Sequence, residues 1–283
     1  MKRLIILLVL VAIAAIAGVV ARSHSRSEVR EIVSHSTSDS RQVIRESYEL
    51  APGAMVELAG LNGSVNIETS NSKTAQILIE RTAGSQEALD RRQIKIEATA
   101  NSLRIRGEKH SGGFFSRFFG SDASEKVSLK LPRQVSLMTK GVNGAVTVGE
   151  IEGSVEVAGV NGKVEIANAA EAASFKGVNG NIFVALKRLG HEGITLSGVN
   201  GNIELRLPAD ANADLEAKGM NGRVISELPN VTVDKSERGN YTARIGNGGN
   251  AITAKGINGN IRLTRATSEA AAAEADAAST SKE

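Results

Sequence analysis

From residue 43 onward, apolar and polar residues alternate in short runs, the period-two pattern of half-buried strands. The pattern predicts strands over residues 43–50, 55–58, 64–68, 74–81, 94–98, 103–106, 126–131 and 135–139. Residues 85–92 have helical composition and predict a single crossing helix, and a short helix is expected near residues 28–33. Between residues 141 and 263 the alternation becomes repetitive. Val146 and Val148, Val164 and Ile166, Ile182 and Val184, Ile203 and Leu205, and Ile261 and Leu263 each flank a residue of different character: Thr147, Glu165, Phe183, Glu204 and Arg262. A second strand precedes each of these, through Val155 and Val157, Ala173 and Phe175, Ile194 and Leu196, Leu215 and Ala217, and Ile252 and Ala254.

A six-residue phrase punctuates these strands: Gly, an apolar residue, Asn, Gly, any residue, then Val or Ile. It occurs seven times, with its Asn-Gly pair at Asn62-Gly63, Asn143-Gly144, Asn161-Gly162, Asn179-Gly180, Asn200-Gly201, Asn221-Gly222 and Asn258-Gly259. The spacings between successive Asn are 81, 18, 18, 21, 21 and 37. A period near twenty means one supersecondary unit stacked on itself, so the expected fold is all-β, a β-solenoid of two-strand rungs with an N-terminal strand-rich cap. Gly and Asn suit a sharp corner because they reach positive φ at least cost. With rungs stacked ~4.8 Å apart, the seven Asn side chains are expected to bond along the stack as an amide ladder that satisfies otherwise buried amides. The gap of 81 implies an irregular cap, and the gap of 37 a degenerate rung whose corner is Gly246-Asn247-Gly248-Gly249.

Composition narrows the function. The chain has 283 residues, 3% aromatics, no Trp and no Cys, which removes disulfides, thiolate metal sites and Cys nucleophiles. A formal charge of +3, scattered along the chain, argues against nucleic acid as a partner. Residues 1–21 hold Lys2 and Arg3 followed by an apolar run over residues 4–21, read as a signal peptide or an N-terminal membrane anchor. Residues 22–42 are a Ser/Arg-rich linker, residues 43–265 the solenoid, and residues 266–283 an Ala-rich tail expected to be disordered.

The Gly-apolar-Asn-Gly repeats, with strand entries at Ala51-Pro52-Gly53 and Leu131-Pro132, resemble bacterial putative adhesin domains of unknown function. These are related to a head domain with Gly-Ile-Asn repeats, a motif present at Gly256-Ile257-Asn258. The resemblance covers residues 47–263. It implies an exported protein with a right-handed solenoid and brings no catalytic residues, so the Asn-Gly pairs are read as structural corners.

The remaining candidates are few. Calcium-binding nonapeptide rolls require a recurring carboxylate after the turn, and the residues here are Ser64, Ala145, Lys163, Asn181, Asn202, Arg223 and Asn260. Glu165 and Glu204 occupy matching outward positions two rungs apart, ~10 Å by the strand spacing, which keeps a glycan-cleaving enzyme as a minor alternative. His24, His35, His110 and His191 lack metal-ligand spacing, and no metal or cofactor is expected. Phe114, Phe115, Phe118 and Phe119 lie in one Gly-flanked segment, read either as a cap on the solenoid or as a contact for a partner or membrane. The expected function is a non-enzymatic, adhesin-like binding or scaffolding protein in the periplasm or cell envelope. Its partner would be an envelope protein or glycan, with membrane contact through residues 4–21. The alternative is a membrane-tethered envelope-stress or signalling accessory protein.

Overall fold

The computed structural model describes residues 29–31, 40–109, 123–170, 172–229, 231–236 and 239–266. The described chain is a β-solenoid built from two sheets of eleven strands each. Each rung contributes one strand to each sheet, and the strands of neighbouring rungs pair in parallel.

Four rungs follow one another in sequence through the middle of the stack. They are β9 (Val135–Val142) with β10 (Val146–Ile151), β11 (Val155–Val160) with β12 (Val164–Ala169), β13 (Ala173–Lys176) with β14 (Ile182–Leu186), and β15 (Ile194–Ser197) with β16 (Ile203–Leu207). Val146, Val164, Ile182 and Ile203 are direct neighbours, as are Val155, Ala173 and Ile194, and the register shifts only past Ile166, where Ala169 faces Leu186. All are buried. Parallel stacking of like on like gives a continuous core of Val, Ile, Leu and Ala, with Phe175 fully enclosed.

Rung order departs from sequence order at both ends. The first repeat, β3 (Ala54–Ala59) with β4 (Val65–Ser70), lies directly against β9 and β10, across the 81-residue gap. The rung formed by β7 (Ser102–Lys109) and β8 (Ser124–Pro132) stacks on its outer side. At the other end the last repeat, β21 (Asn250–Lys255) with β22 (Ile261–Arg265), is inserted inside an earlier one. It separates the rung of β15 and β16 from that of β17 (Ala213–Lys218) and β18 (Val224–Ser226). The expected sequential stack is corrected here. The segment read as a degenerate rung forms β19 (Val233–Ser236) and β20 (Asn240–Ile245), an antiparallel pair. β20 pairs antiparallel with the outer side of β17. That side is then unavailable, so β21 pairs on the inner side. Gly246 to Gly249 is the turn into β21, fixed where the Asp214 carboxylate accepts the Gly249 N–H at 2.9 Å. This bond, with help from Arg244, holds the Asp214 carboxyl below its ordinary range.

Antiparallel strands also close the N-terminal end. β2 (Ser40–Glu49) and β5 (Thr74–Ala83) extend one sheet beyond β8, and β6 (Arg92–Thr99) extends the other beyond β7. Such strands end a parallel stack that would otherwise offer an open edge. The helix expected near residues 28–33 is instead β1 (Val29–Glu31), paired with β2; sheet pairing outweighs weak local propensity here. The crossing helix is present as α1 (Gln86–Arg91), where the Ser85 hydroxyl accepts the Ala88 N–H at 3.2 Å. Among the described residues, no helix is long and apolar enough to cross a membrane.

One core position breaks the aliphatic rule. Thr139 is fully buried between Leu58 and Val157 of the adjoining rungs, and its hydroxyl has no hydrogen-bond partner. A buried hydroxyl without a bond costs on the order of 1–3 kcal/mol. Thr139→Val should therefore raise the unfolding free energy by about 1 kcal/mol, read from urea midpoints at unchanged slope.

Candidate binding surface

The corner phrase divides its labour among its residues. The apolar residue points inward: Leu61, Val142, Val160, Val178, Val199 and Ile257 are nearly inaccessible, and Met220 is buried. The first Gly carries the positive φ, +60° at Gly177 and at Gly198. The Gly of Asn-Gly also has positive φ at five corners, among them Gly180 at +159° and Gly201 at +156°, as the sequence led one to expect, while the left-handed turn near +60° falls to the preceding Gly. The second Gly meets a further demand. A Cβ on Gly180 would lie 2.2 Å from the backbone oxygen of Gly162 in the adjoining rung, and one on Gly201 lies 2.3 Å from that of Gly180.

The seven Asn side chains form one unbroken column. Asn143 Nδ2 donates to Asn62 Oδ1 at 2.9 Å, Asn161 to Asn143 at 3.0 Å, Asn179 to Asn161 at 3.0 Å and Asn200 to Asn179 at 3.1 Å. The column then passes to the inserted rung. Asn258 donates to Asn200 at 2.9 Å, and Asn221 donates to Asn258 at 3.0 Å. Backbone bonds run alongside, as Asn161 N–H to Val142 O at 2.9 Å and Asn258 N–H to Val199 O at 2.8 Å. The amides are not buried, contrary to the expectation: all but the half-buried Asn62 are exposed. Each of the five interior amides spends one N–H and one acceptor position on the column, which leaves a second N–H for other partners. Asn179→Ala removes two exposed bonds and should cost about 1–2 kcal/mol. Asn221→Ala, at the column's end, removes one and should cost about half as much. Paired urea titrations check the ratio.

A buried charge pair ends the column at its N-terminal side. Asn62 Nδ2 donates to Ala123 O at 2.9 Å, and the Asn62 N–H donates to Glu125 Oε2 at 2.7 Å. Arg92 holds Glu125, with Nε to Oε1 at 2.6 Å and Nη2 to Oε2 at 3.2 Å, and it also donates to Gly60 O. The side chains of Arg92 and Glu125 are 8% and 0% exposed. Arg81, also buried, donates to Leu89 O at 2.9 Å and to Arg92 O. Burial holds its guanidinium below its ordinary value, with Arg92 adding to that effect and Glu125 opposing it.

A second, shorter Asn column went unrecognised in the sequence, where its signal was the triplet Asn-Gly-Asn. Asn181 Oδ1 accepts the Asn202 N–H at 2.9 Å, Asn202 Oδ1 accepts the Asn260 N–H at 3.0 Å, and Asn260 Oδ1 accepts the Arg223 N–H at 3.0 Å. It borders a shallow depression of about 230 Å³ beside Phe183 and Ile225. Glu165 and Glu204 flank Phe183 on the adjoining strands, as the register requires. They do not converge on a cleft. Glu165 pairs with Lys163 at 2.7 Å, Glu204 pairs with Arg206 at 2.7 Å, and the Lys163 ammonium stands 4.9 Å from the centre of the Phe183 ring. Among the described residues, no group of three or more His, Cys, Asp or Glu could hold a metal ion. Phe114, Phe115, Phe118 and Phe119 lie outside the described residues.

Residues 143–264 match the family model described as Toastrack DUF4097. The repeat region is similar to a Toastrack domain. The solved structures similar to the chain include a putative cell adhesion protein from Clostridium sporogenes, 14% identical, with a TM-score of 0.38 over 86% of this chain and 100% of that one. A putative adhesin from Parabacteroides merdae is 9% identical, with a TM-score of 0.27 over 79% of this chain and 96% of that one. A putative lipid binding protein from Parabacteroides distasonis is 14% identical, with a TM-score of 0.24 over 79% and 97%. At these TM-scores the likenesses carry no argument. No curated protein matches the chain. The Toastrack match begins at the second corner Asn, Asn143, so the first repeat and its capping strands lie outside it while sharing the same amide column.

Proposed function

We propose that this protein is an exported, non-enzymatic envelope protein whose solenoid presents a regular surface for adhesion or scaffolding. The observation that supports this reading best is the exposed amide column. It fixes six exposed amide donors at one repeat distance along an edge, an array suited to an extended partner. Glu165 and Glu204 are each ion-paired with a cation of their own rung and do not face each other across a shared cleft, which speaks against a glycan-cleaving pair. In this reading, residues 1–21 direct export and residues 22–28 link them to the first strand of the solenoid's sheet.

Protease accessibility of the full chain in intact and permeabilised cells tests the reading, alongside retention of isolated cell envelopes on the immobilised protein. Digestion that needs only a permeabilised outer barrier, with envelopes retained, supports it. A chain protected until the cytoplasm is opened would sink it, as would envelope glycan turnover that disappears in Glu165→Gln or Glu204→Gln.

A further inference from the structure

One row of side chains on the sheet containing β9 alternates in charge along the solenoid axis. It consists of the residue just before the first Gly of each corner. Taken in spatial order from β7, the row begins Arg106, Ala59, Lys140, Ala158, and each is the direct register neighbour of the next. It continues through Lys176, Ser197, Lys255 and Lys218. From the first rung to the seventh, cations alternate with small residues. The period is two rungs, ~10 Å by the strand spacing. The inserted rung maintains the alternation: Lys255 occupies the seventh position because β21 lies inside β17.

The surroundings favour an anion. Lys140, Lys176, Lys255 and Lys218 are exposed. The adjoining outward row supplies three carboxylates and a further cation, Arg104. Glu57 pairs with Arg104 and Arg106, Glu156 with Lys176 at 3.4 Å and Glu216 with Lys218. The pairs at Lys176 and Lys218 are solvent-accessible and weak, whereas Glu57, 15% exposed, is held by two arginines. Among the described residues, Lys140 and Lys255 have no carboxylate partner. On the other side of the row, past the exposed first glycines of the corners, runs the Asn column with its exposed amides.

We infer that this corner binds a linear anionic polysaccharide carrying one carboxylate per disaccharide, laid along the solenoid axis. This rests on the reading of the solenoid as a binding module. One disaccharide of an extended β-linked chain is close to two rungs in length, so carboxylates meet Lys140, Lys176 and Lys255 in turn. Hydroxyl and acetamido oxygens accept the second N–H of the Asn amides. The eight rungs span about 34 Å, which limits the footprint to roughly seven or eight sugars.

The test uses the full chain and oligosaccharides of alternating glucuronate and N-acetylglucosamine, with uncharged chitin oligosaccharides and inorganic polyphosphate as comparisons. Affinity should rise with length to about eight sugars, then level off, and fall with added salt. Lys140→Glu, Lys176→Glu and Lys255→Glu together should weaken binding by about tenfold or more, as expected for three exposed ion pairs. The same change at Lys163, in the corner just before β12 and past the Asn column from this row, should not. Ala158→Lys with Ser197→Lys fills the gaps in the row and should shift preference toward the more closely spaced charges of polyphosphate, whether or not the triple variant folds. Equal binding of chitin oligosaccharides would overturn the charge requirement, and equal binding of polyphosphate by the unaltered chain would overturn the spacing. A folded triple variant that binds normally would overturn the site. Failure of all three probes, with envelopes still retained on the immobilised protein, would overturn the inference and leave the binding-module reading standing.

Discussion

Arg92→Met should destabilise the N-terminal end of the solenoid by about 3–5 kcal/mol, the cost of stranding a buried charge. The side chain of Glu125 is fully enclosed, and Arg92 supplies two of its hydrogen bonds. With Arg92 gone, the carboxylate keeps the Asn62 N–H but loses its counter-charge. The Gly60 carbonyl loses a donor in the same step. Arg92→Met combined with Glu125→Leu should recover part of the loss, because an apolar pair removes the stranded charge even though Asn62 N–H then lacks an acceptor. Because solenoid ends can open locally, the readout is hydrogen exchange at the amides of Asn62, Val65 and Val127 as well as urea unfolding. A single variant that costs under about 1 kcal/mol would mean that the column's end is held by something other than this pair.

Gly201→Ala should cost at least about 3 kcal/mol, the upper end of overpacking penalties. The new methyl would meet Gly180 O at 2.3 Å, Gly180 C at 2.6 Å and Asn181 N at 3.1 Å, all backbone atoms that cannot rotate away. Relief requires the two rungs to part. That would strain the bond from Gly180 N–H to Asn200 O at 3.0 Å and the Asn200–Asn179 link of the column. Gly198→Ala makes an informative contrast. Its Cβ would have ordinary room, with Gly177 N at 3.8 Å, but its φ of +60° disfavours any L-residue with a Cβ. The expected cost is about 1–2 kcal/mol, and Gly198→Asn should reduce it because Asn tolerates that region. Urea midpoints for the three variants check the ranking. Gly201 also has a positive φ, +156°, so equal costs for Gly201→Ala and Gly198→Ala would mean that backbone conformation, not rung contact, sets both.

Much of this protein is legible from its residues. Alternation marked most of the described strands. The recurring Gly-apolar-Asn-Gly phrase marked one corner of seven rungs, and the spacing of 18–21 marked the neighbouring rungs from Asn143 to Asn200. The helix after Ser85 was visible from composition. The sequence misled near Val29–Glu31, where pairing with β2 decided the outcome. The Asn181, Asn202 and Asn260 column escaped notice because those residues follow Asn-Gly at only three of the seven corners.

Local pattern by itself determined that a given segment would be a rung, because inward Val or Ile, a turning Gly and an outward Asn are demands each rung meets within its own residues. Only the tertiary structure decided which rung is whose neighbour. Every rung presents nearly the same edge to both sides, so nothing in a single repeat selects its partner. The selection comes from long-range contacts: Arg92 and Glu125 seal the column above Asn62, and β20 occupies the outer side of β17, so the final repeat enters between two earlier ones. The unbroken column through Asn200, Asn258 and Asn221, and the spacing of Lys140, Lys176 and Lys255, are products of that order.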